Sequence, residues 1–157
     1  MIRFLSIALF AASFALSAAA ADTAPIEQVM AGFHEAVISH DGERLKGFFL
    51  PQGTAWFNVL TDEALLRLRA KTPDAPKVRP GSIQDFAAFV TGSKADLDPK
   101  HTEVEIRSDG TVATAWFRFR FMIGGQEKNR GSETWQLVKT EDGWKIAAIA
   151  YSSDPAP

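Results

Sequence analysis

The stretch that decides the fold is residues 111–151, TVATAWFRFRFMIGGQEKNRGSETWQLVKTEDGWKIAAIAY. Apolar and polar side chains alternate along much of it with a period of two, which is typical of β-strands with one buried face. Turn sequences divide it into three strands, 111–123, 131–140 and 144–151, with a loose hairpin over 124–131. A fourth alternating segment begins at His101. The sequence therefore predicts an antiparallel meander of four strands.

The segment before His101 has helical patterns instead. Apolar residues recur there at steps of three and four, namely Ile26, Val29, Met30, Phe33 and Val37. Pro25 suits the first position of this helix. A short strand is predicted over 54–60. Ser82 with Asp85 resembles a capping box, with Asp in place of the usual Glu, for a helix that ends at Gly92. Helices followed by a meander predict an α+β fold, with the helices packed on one face of a curved sheet and a ligand cavity between them.

Residues 1–21 have the pattern of a secretory signal peptide. Arg3 gives a positive start, an apolar run extends from Phe4 to Leu16, and small residues occupy 17–21. The run is shorter than the roughly 20 residues that a membrane-spanning helix needs. We therefore expect cleavage near Ala20–Asp22 and an exported protein, periplasmic or secreted, with no membrane segment after cleavage. An uncleaved anchor is the alternative.

The remaining residues, 22–157, have the size of a single domain. They contain 16 Lys and Arg against 19 Asp and Glu, and this mildly acidic balance argues against binding to nucleic acid or anionic lipid. The chain has no cysteine, which excludes disulfide bonds, thiol catalysis, cysteine-bound zinc and iron–sulfur clusters. The domain must therefore be stabilised by its apolar core, for which nine Phe and four Trp are available.

Three motifs carry a family resemblance: Phe33…Asp41-Gly42…Leu45…Phe48-Phe49, the strand Gly53–Asn58, and Gly131-Ser132-Glu133-Thr134-Trp135…Asp142-Gly143-Trp144-Lys145-Ile146…Tyr151-Ser152. Over about residues 25–153 the chain resembles the nuclear transport factor 2-like (NTF2-like) superfamily, especially its bacterial SnoaL-like and polyketide-cyclase-like members. The resemblance implies a cone-shaped α+β barrel with N-terminal helices packed on a curved antiparallel meander, and often a homodimer formed through the outer sheet face. It implies no activity, because this fold supports isomerases, dehydratases, cyclases and non-catalytic proteins.

One enzyme group of this superfamily, the ketosteroid isomerases, can be compared position by position. The resemblance would require a tyrosine eight residues before the Asp that ends the first helix, and an Asp base on the strand after the second helix. Counting back from Asp41 gives Phe33, which has no hydroxyl group. The strand carries Asn58, whose neutral amide cannot abstract a proton. Ketosteroid-isomerase-type catalysis is therefore not expected.

Glu133 is the first candidate for a catalytic residue. Alternation places Phe117 and Phe119 on the inner sheet face, and a last hairpin that turns at Glu141–Asp142 pairs Trp135 with Ala148, which brings Trp135 and Glu133 to the same inner face. A carboxyl group on an otherwise apolar face has a raised pKa, which suits general acid or base catalysis. Alternatively, Glu133 reaches solvent at the strand end or pairs with Arg130.

The other candidates for an inner site lie on the first helix, the short strand and the C-terminus. His34, next to the apolar stripe, is a second catalytic candidate, or else a histidine at the edge of the core. Asn58 and Trp56 share one strand face and offer hydrogen bonding and stacking, although Asn58 alternatively satisfies a loop backbone. Tyr151 either closes the cavity or packs under the C-terminal tail. The candidate ligand-binding set is Asn58, Trp56, Trp135, Phe117, Phe119 and Tyr151.

The outer sheet face carries a cationic and aromatic row, Trp116, Arg118 and Arg120. Trp and Arg are favoured in protein interfaces, so this row is a candidate dimer interface, with a solvated face as the alternative. His40 and His101 lie near element ends and are expected to be exposed. The three histidines lack the spacing of metal ligands, and no cofactor motif is present, so we expect neither a metal nor a cofactor.

Two functions from different classes remain open. The first is an exported SnoaL-like protein that binds a small organic molecule in an aromatic cavity, with or without cofactor-free proton-transfer chemistry. The second is a non-catalytic homodimeric interaction module of the cell envelope. The nine Phe distinguish neither, because large rings line a cavity as readily as they fill it.

Overall fold

A computed structural model describes residues 15–156, with side chains from residue 23 onward. The predicted α+β class is confirmed, because helices come first and four long strands follow. The elements are α1 (Ala15–Ile38), α2 (Gly42–Lys46), β1 (Ala55–Leu60), α3 (Asp62–Arg69), β2 (Val78–Pro80), α4 (Ile83–Gly92), β3 (Leu97–Ser108), β4 (Val112–Ile123), β5 (Gln126–Thr140) and β6 (Gly143–Ser153). Most of the predicted signal sequence, residues 1–14, lies outside the described residues.

The six strands form one sheet in the order β2-β1-β6-β5-β4-β3. The predicted meander is confirmed, since β3, β4, β5 and β6 pair antiparallel with their neighbours in sequence. β1 pairs parallel with β6, and β2 pairs antiparallel with β1 at the sheet edge. The sheet is mixed, because β1 adds a parallel pair to the antiparallel meander, and it does not close into a continuous barrel.

The predicted loose hairpin over 124–131 is wrong. Gly124 and Gly125 both have positive φ, 56° and 76°, which is the backbone of a two-residue hairpin turn that matches the twist of the flanking strands. β5 therefore begins at Gln126. A register shift later in the β5–β6 pair also moves the predicted partner of Trp135 from Ala148 to Ile149, although Trp135 still faces inward.

The helix boundaries follow local capping, with one exception. Asp41 caps α2 by accepting a hydrogen bond from the Arg44 amide, and Ser82 caps α4 by accepting one from the Asp85 amide. Pro25 lies inside α1 and not at its first position, because the helix extends back to Ala15. Proline has no backbone N–H, so at this interior position Pro25 cannot donate the hydrogen bond that other helical residues donate to the preceding turn.

The core lies between the helices and the concave face of the sheet. The side chains of Phe117 and Trp135 are fully buried, and α1 supplies Ile26, Phe33 and Val37 against them. A smaller cluster forms where α3 packs Ala64 and Leu65 against the end of β1. Within the described part of the chain, no helix combines the length and hydropathy needed to cross a membrane.

Candidate functional site

A partly open cavity of about 160 Å³ lies at the core, between α1, α4 and the concave sheet face. Six of the residues around it are aromatic, and the sheet contributes the polar ones. The lining residues are Phe33, Trp56, Phe86, Pro99, His101, Phe119, Phe121, Asn129, Glu133 and Tyr151. Small-molecule sites commonly have this composition, with apolar walls and a few convergent polar groups.

Glu133, on β5, places its side-chain carboxyl group at the cavity wall. Burial raises the pKa of Glu133 from its usual value to about 7, and a hydrogen bond from the indole N–H of Trp135 opposes part of that rise. The two side chains share a strand face because they are two residues apart. Near neutral pH this group therefore exists in both its acid and its carboxylate forms.

A row of polar side chains runs across four strands at this level of the sheet. Arg79 pairs with Asn58, Asn58 with Tyr151, and Tyr151 with Glu133. Burial raises the pKa of Tyr151 and the Glu133 carboxylate raises it further, whereas hydrogen bonds with Asn58 and Trp56 and the charge of Arg79 lower it. The Tyr151 phenol is thus held in its neutral form, able to donate a hydrogen bond.

His101 lies in the cavity wall, contrary to the expectation that it is exposed. Its ring lies 4.4 Å from that of Phe117 and 6.0 Å from that of Trp135, measured between centroids. A register shift between Thr102 and Glu105, with Glu103 at a φ of 53°, reverses the alternation of β3 and turns His101 inward. Burial, with a smaller effect from His34, lowers the pKa of His101 to about 4. The imidazole is therefore neutral at physiological pH.

His34 does not line the cavity. It borders a separate recess of about 550 Å³ between α1 and β3, which is open to solvent. The His34 Nε2 atom lies 3.8 Å from a carboxylate oxygen of Asp98, and its ring meets that of His101 edge-on. His101 borders both spaces, so it lies between the open recess and the cavity. We place the candidate site in the partly open cavity, because it holds the half-buried Glu133 carboxyl group.

The remaining predicted ligand-binding residues divide into two groups. Trp56, Phe119 and Tyr151 line the cavity, whereas Phe117 and Trp135 pack behind its wall and Asn58 lies beside Tyr151. The predicted site set did not include six of the lining residues: Phe33, Phe86, Pro99, His101, Phe121 and Asn129. The sequence pattern does indicate two of them. Phe86 lies on the apolar side of α4 at helical spacing, and Phe121 follows the apolar alternation of β4.

The solved structures similar to this chain share its fold. An NTF2-like protein of unknown function from Shewanella baltica is 20% identical, with a TM-score of 0.60 over 87% of this chain and 97% of that one. An NTF2-like protein with a cystatin-like fold from Novosphingobium aromaticivorans is 14% identical, with a TM-score of 0.59 over 85% and 82%. The chain has the NTF2-like fold. No protein-family model and no curated protein matches its sequence.

A third similar NTF2-like structure carries an activity in its description. It is a protein from Streptomyces avermitilis, provisionally described as a dehydratase, that is 18% identical with a TM-score of 0.60 over 88% of this chain and 98% of that one. Identities at this level establish the shared NTF2-like fold alone. The activity must therefore be argued from the cavity itself.

The convex face of this NTF2-like sheet carries the predicted interface residues. Trp116 is half-buried, and Arg118 and Arg120 are exposed and paired with Glu103 and Glu127 respectively. These pairs lie within one chain, so they neutralise the cationic row. Among the residues with described side chains, no group of three or more His, Asp or Glu is placed to hold a metal ion.

Proposed function

We propose that the protein binds a small organic molecule in the aromatic cavity and that Glu133 accepts or donates a proton there. The observation that carries this proposal is one half-buried carboxyl group that shares a cavity wall with six aromatic side chains. An acid whose pKa lies near the working pH can serve in either direction of a proton transfer. Neutral His101 and Tyr151 supply hydrogen bonds at the same wall, and the reaction class needs neither a cofactor nor a metal.

The cavity volume limits the size of the ligand. An apolar site of about 150 Å³ holds benzene, whereas drug-sized ligands occupy sites of about 300–1,000 Å³. At about 160 Å³ this cavity fits a molecule with a single ring or a chain of similar bulk. Polycyclic substrates of the kind that polyketide cyclases and ketosteroid isomerases act on would require the aromatic wall to rearrange.

We further infer that the protein is a SnoaL-like member of its superfamily and acts after export, in the periplasm or outside the cell. The support is the sequence pattern of residues 1–21 and the motifs shared with that group. The protein would then be stabilised in an oxidising compartment without disulfide bonds, by its core alone.

Native mass spectrometry of the protein purified from its own cell envelope tests the binding proposal. We expect a subunit cleaved near Ala20–Asp22 that carries a small added mass, lost on denaturation. Once the ligand is identified, Glu133→Gln should lower turnover by about 10²–10⁴-fold, whereas Glu105→Gln, an exposed glutamate of β3, should leave turnover unchanged. Unchanged turnover in Glu133→Gln would remove this residue from the mechanism. A cavity that carries no added mass and takes up neither toluene nor benzyl alcohol would contradict the binding proposal.

A second candidate function is a homodimeric interaction module that uses the convex face. Phe57, Ala150, Thr134 and Trp116 lie side by side in register across β1, β6, β5 and β4. Ala150 and Thr134 thus lie between the rings of Phe57 and Trp116. The Phe57 side chain is 43% exposed. An apolar row of this kind can pack against its copy in an isologous dimer.

Replacing Trp116 with Glu tests this second function. If two copies pack through the row, the change buries like charges and should raise the dimer dissociation constant by about thirtyfold or more, as expected for an interface hot spot. The measurement is sedimentation equilibrium over a range of concentrations. Leu66→Glu, an exposed apolar residue of α3, is the matched control. A dimer that survives Trp116→Glu with an unchanged constant would count against the convex face.

A further inference from the structure

The residues that line the cavity can supply negative charge but no positive charge at physiological pH. The Glu133 carboxyl group is the one acid on its wall, and no Lys or Arg occurs among the described residues that line it. His101 from β3 and Tyr151 from β6 line the same cavity, and both are neutral at physiological pH. Arg79 of β2 acts on Tyr151, but its side chain borders a different recess, beyond Asn58. When Glu133 ionises, the cavity holds a single negative charge.

This carboxylate has little compensation from the protein. Trp135 is the one hydrogen-bond donor to it among the described residues. A carboxylate in apolar surroundings is costly unless a cation or several donors satisfy it. A ligand that supplies a positive charge at this point would therefore bind more strongly than a neutral molecule of the same shape.

The aromatic wall favours the same kind of ligand. Six rings surround the space, contributed by Phe33, Trp56, Phe86, Phe119, Phe121 and Tyr151. The face of an aromatic ring carries partial negative charge and attracts a desolvated cation within about 6 Å of its centre. Rings combined with a carboxylate therefore complement an organic ammonium group, and they do not complement a carboxylate or a phosphate.

We propose that the cavity selects a small organic ammonium, an amine on a single ring or short chain, with its nitrogen held by the Glu133 carboxylate and its carbon atoms among the aromatic rings. This inference rests on the proposed binding function and specifies its ligand class. The bound ammonium also keeps Glu133 in its carboxylate form, the form that accepts a proton.

Three probes of similar shape and different charge test this proposal by titration calorimetry: benzylamine, benzyl alcohol and benzoate. We expect benzylamine to bind about tenfold or more tightly than benzyl alcohol at pH 8, the gain of one charge-assisted hydrogen bond, and benzoate to bind weakest. Benzylamine stays protonated over the tested range, so its affinity should rise as the pH increases from 6 to 8 and Glu133 ionises.

Three variants assign the pH dependence to its source. Glu133→Gln should remove the preference for benzylamine together with its pH dependence, and the exposed control Glu105→Gln should keep both. His34 is the other titratable group nearby, in contact with His101 and 3.8 Å from Asp98. His34→Gln should keep the pH dependence, because His34 borders the outer recess. Loss of the pH dependence in His34→Gln would overturn the assignment to Glu133.

The outcomes separate this inference from the proposed function. Equal affinities of the amine and the alcohol, or an affinity for the amine that rises as the pH falls, would overturn the ammonium proposal while leaving a ligand-binding cavity. Failure of all three probes to bind the wild-type protein would overturn the binding function, and the ammonium proposal with it. The wild-type titrations decide between these outcomes even if Glu133→Gln fails to fold.

Discussion

Replacing Trp135 with alanine should lower the free energy of unfolding by about 3–5 kcal/mol, the usual cost of truncating a large buried aromatic residue. Trp135 is fully buried, and its ring centroid lies 4.9 Å from that of Phe33 and 5.2 Å from that of Phe117. The change would leave a void between α1 and the sheet and remove the only donor described for Glu133. Since a domain of this size is stable by about 5–15 kcal/mol, the loss is a large share of the total.

Urea denaturation of matched variants checks this prediction. Trp135→Phe keeps a ring in the core but removes the indole N–H, so it should cost clearly less than the alanine variant. Thr134→Ala changes an exposed neighbour on the same strand and should stay within about 0.5 kcal/mol of wild type. A loss below about 1 kcal/mol for Trp135→Ala would show that the helices do not depend on this contact.

Replacing Glu133 with glutamine should make the protein more stable above neutral pH, relative to wild type. The pKa of Glu133 is about 7 in the folded protein and near 4.5 in an exposed carboxyl group. Folding therefore favours the protonated form, so the contribution of Glu133 to stability is complete below about pH 4.5 and is lost as the pH rises through 7. Between pH 4.5 and 8.5 the variant should gain on wild type by the order of 3 kcal/mol.

His101 changes the pH dependence of stability in the opposite direction, and its effect cancels when Glu133→Gln is compared with wild type. Its pKa is lowered to about 4 from 6.5 by burial, so its contribution is complete above pH 6.5 and is lost as the pH falls through 4. Both proteins retain His101, so the difference between their unfolding free energies isolates Glu133. A difference that does not change with pH would contradict the burial of this carboxyl group.

The sequence predicted the inner face of the sheet well, for a simple reason. Strand alternation is local, so Phe117, Phe119 and Glu133 could be assigned to the concave face from their own strands and one hairpin turn. The assignment is correct despite the register shift between β5 and β6, because the extra residue, Ala147, lies on β6 and leaves the alternation of β5 unbroken. The capping residues Asp41 and Ser82 were likewise recognisable, since each bonds to an amide three residues ahead.

What the sequence could not supply were features set by distant parts of the chain. His101 faces the cavity because of a bulge at Glu103, and a bulge leaves no reliable trace in a pattern of alternating residues. The polar start of β5, from Gln126, has no apolar period, so its sequence predicts a loose hairpin instead of a strand. The separation of His34 from the cavity depends on the orientation of α1, which long-range packing determines.

The parallel pairing of β1 with β6 affects how the chain can fold. The paired segments, such as Ala55 and Ala148, are about 90 residues apart in sequence, so closing this contact has a large loop entropy and is intrinsically slow. While the chain is being synthesised, the first half has no completed sheet on which to bury its helices. Folding must therefore finish after the ribosome releases β6. A chain that stays unfolded until its last strand is available would also remain suitable for threading across a membrane before it folds.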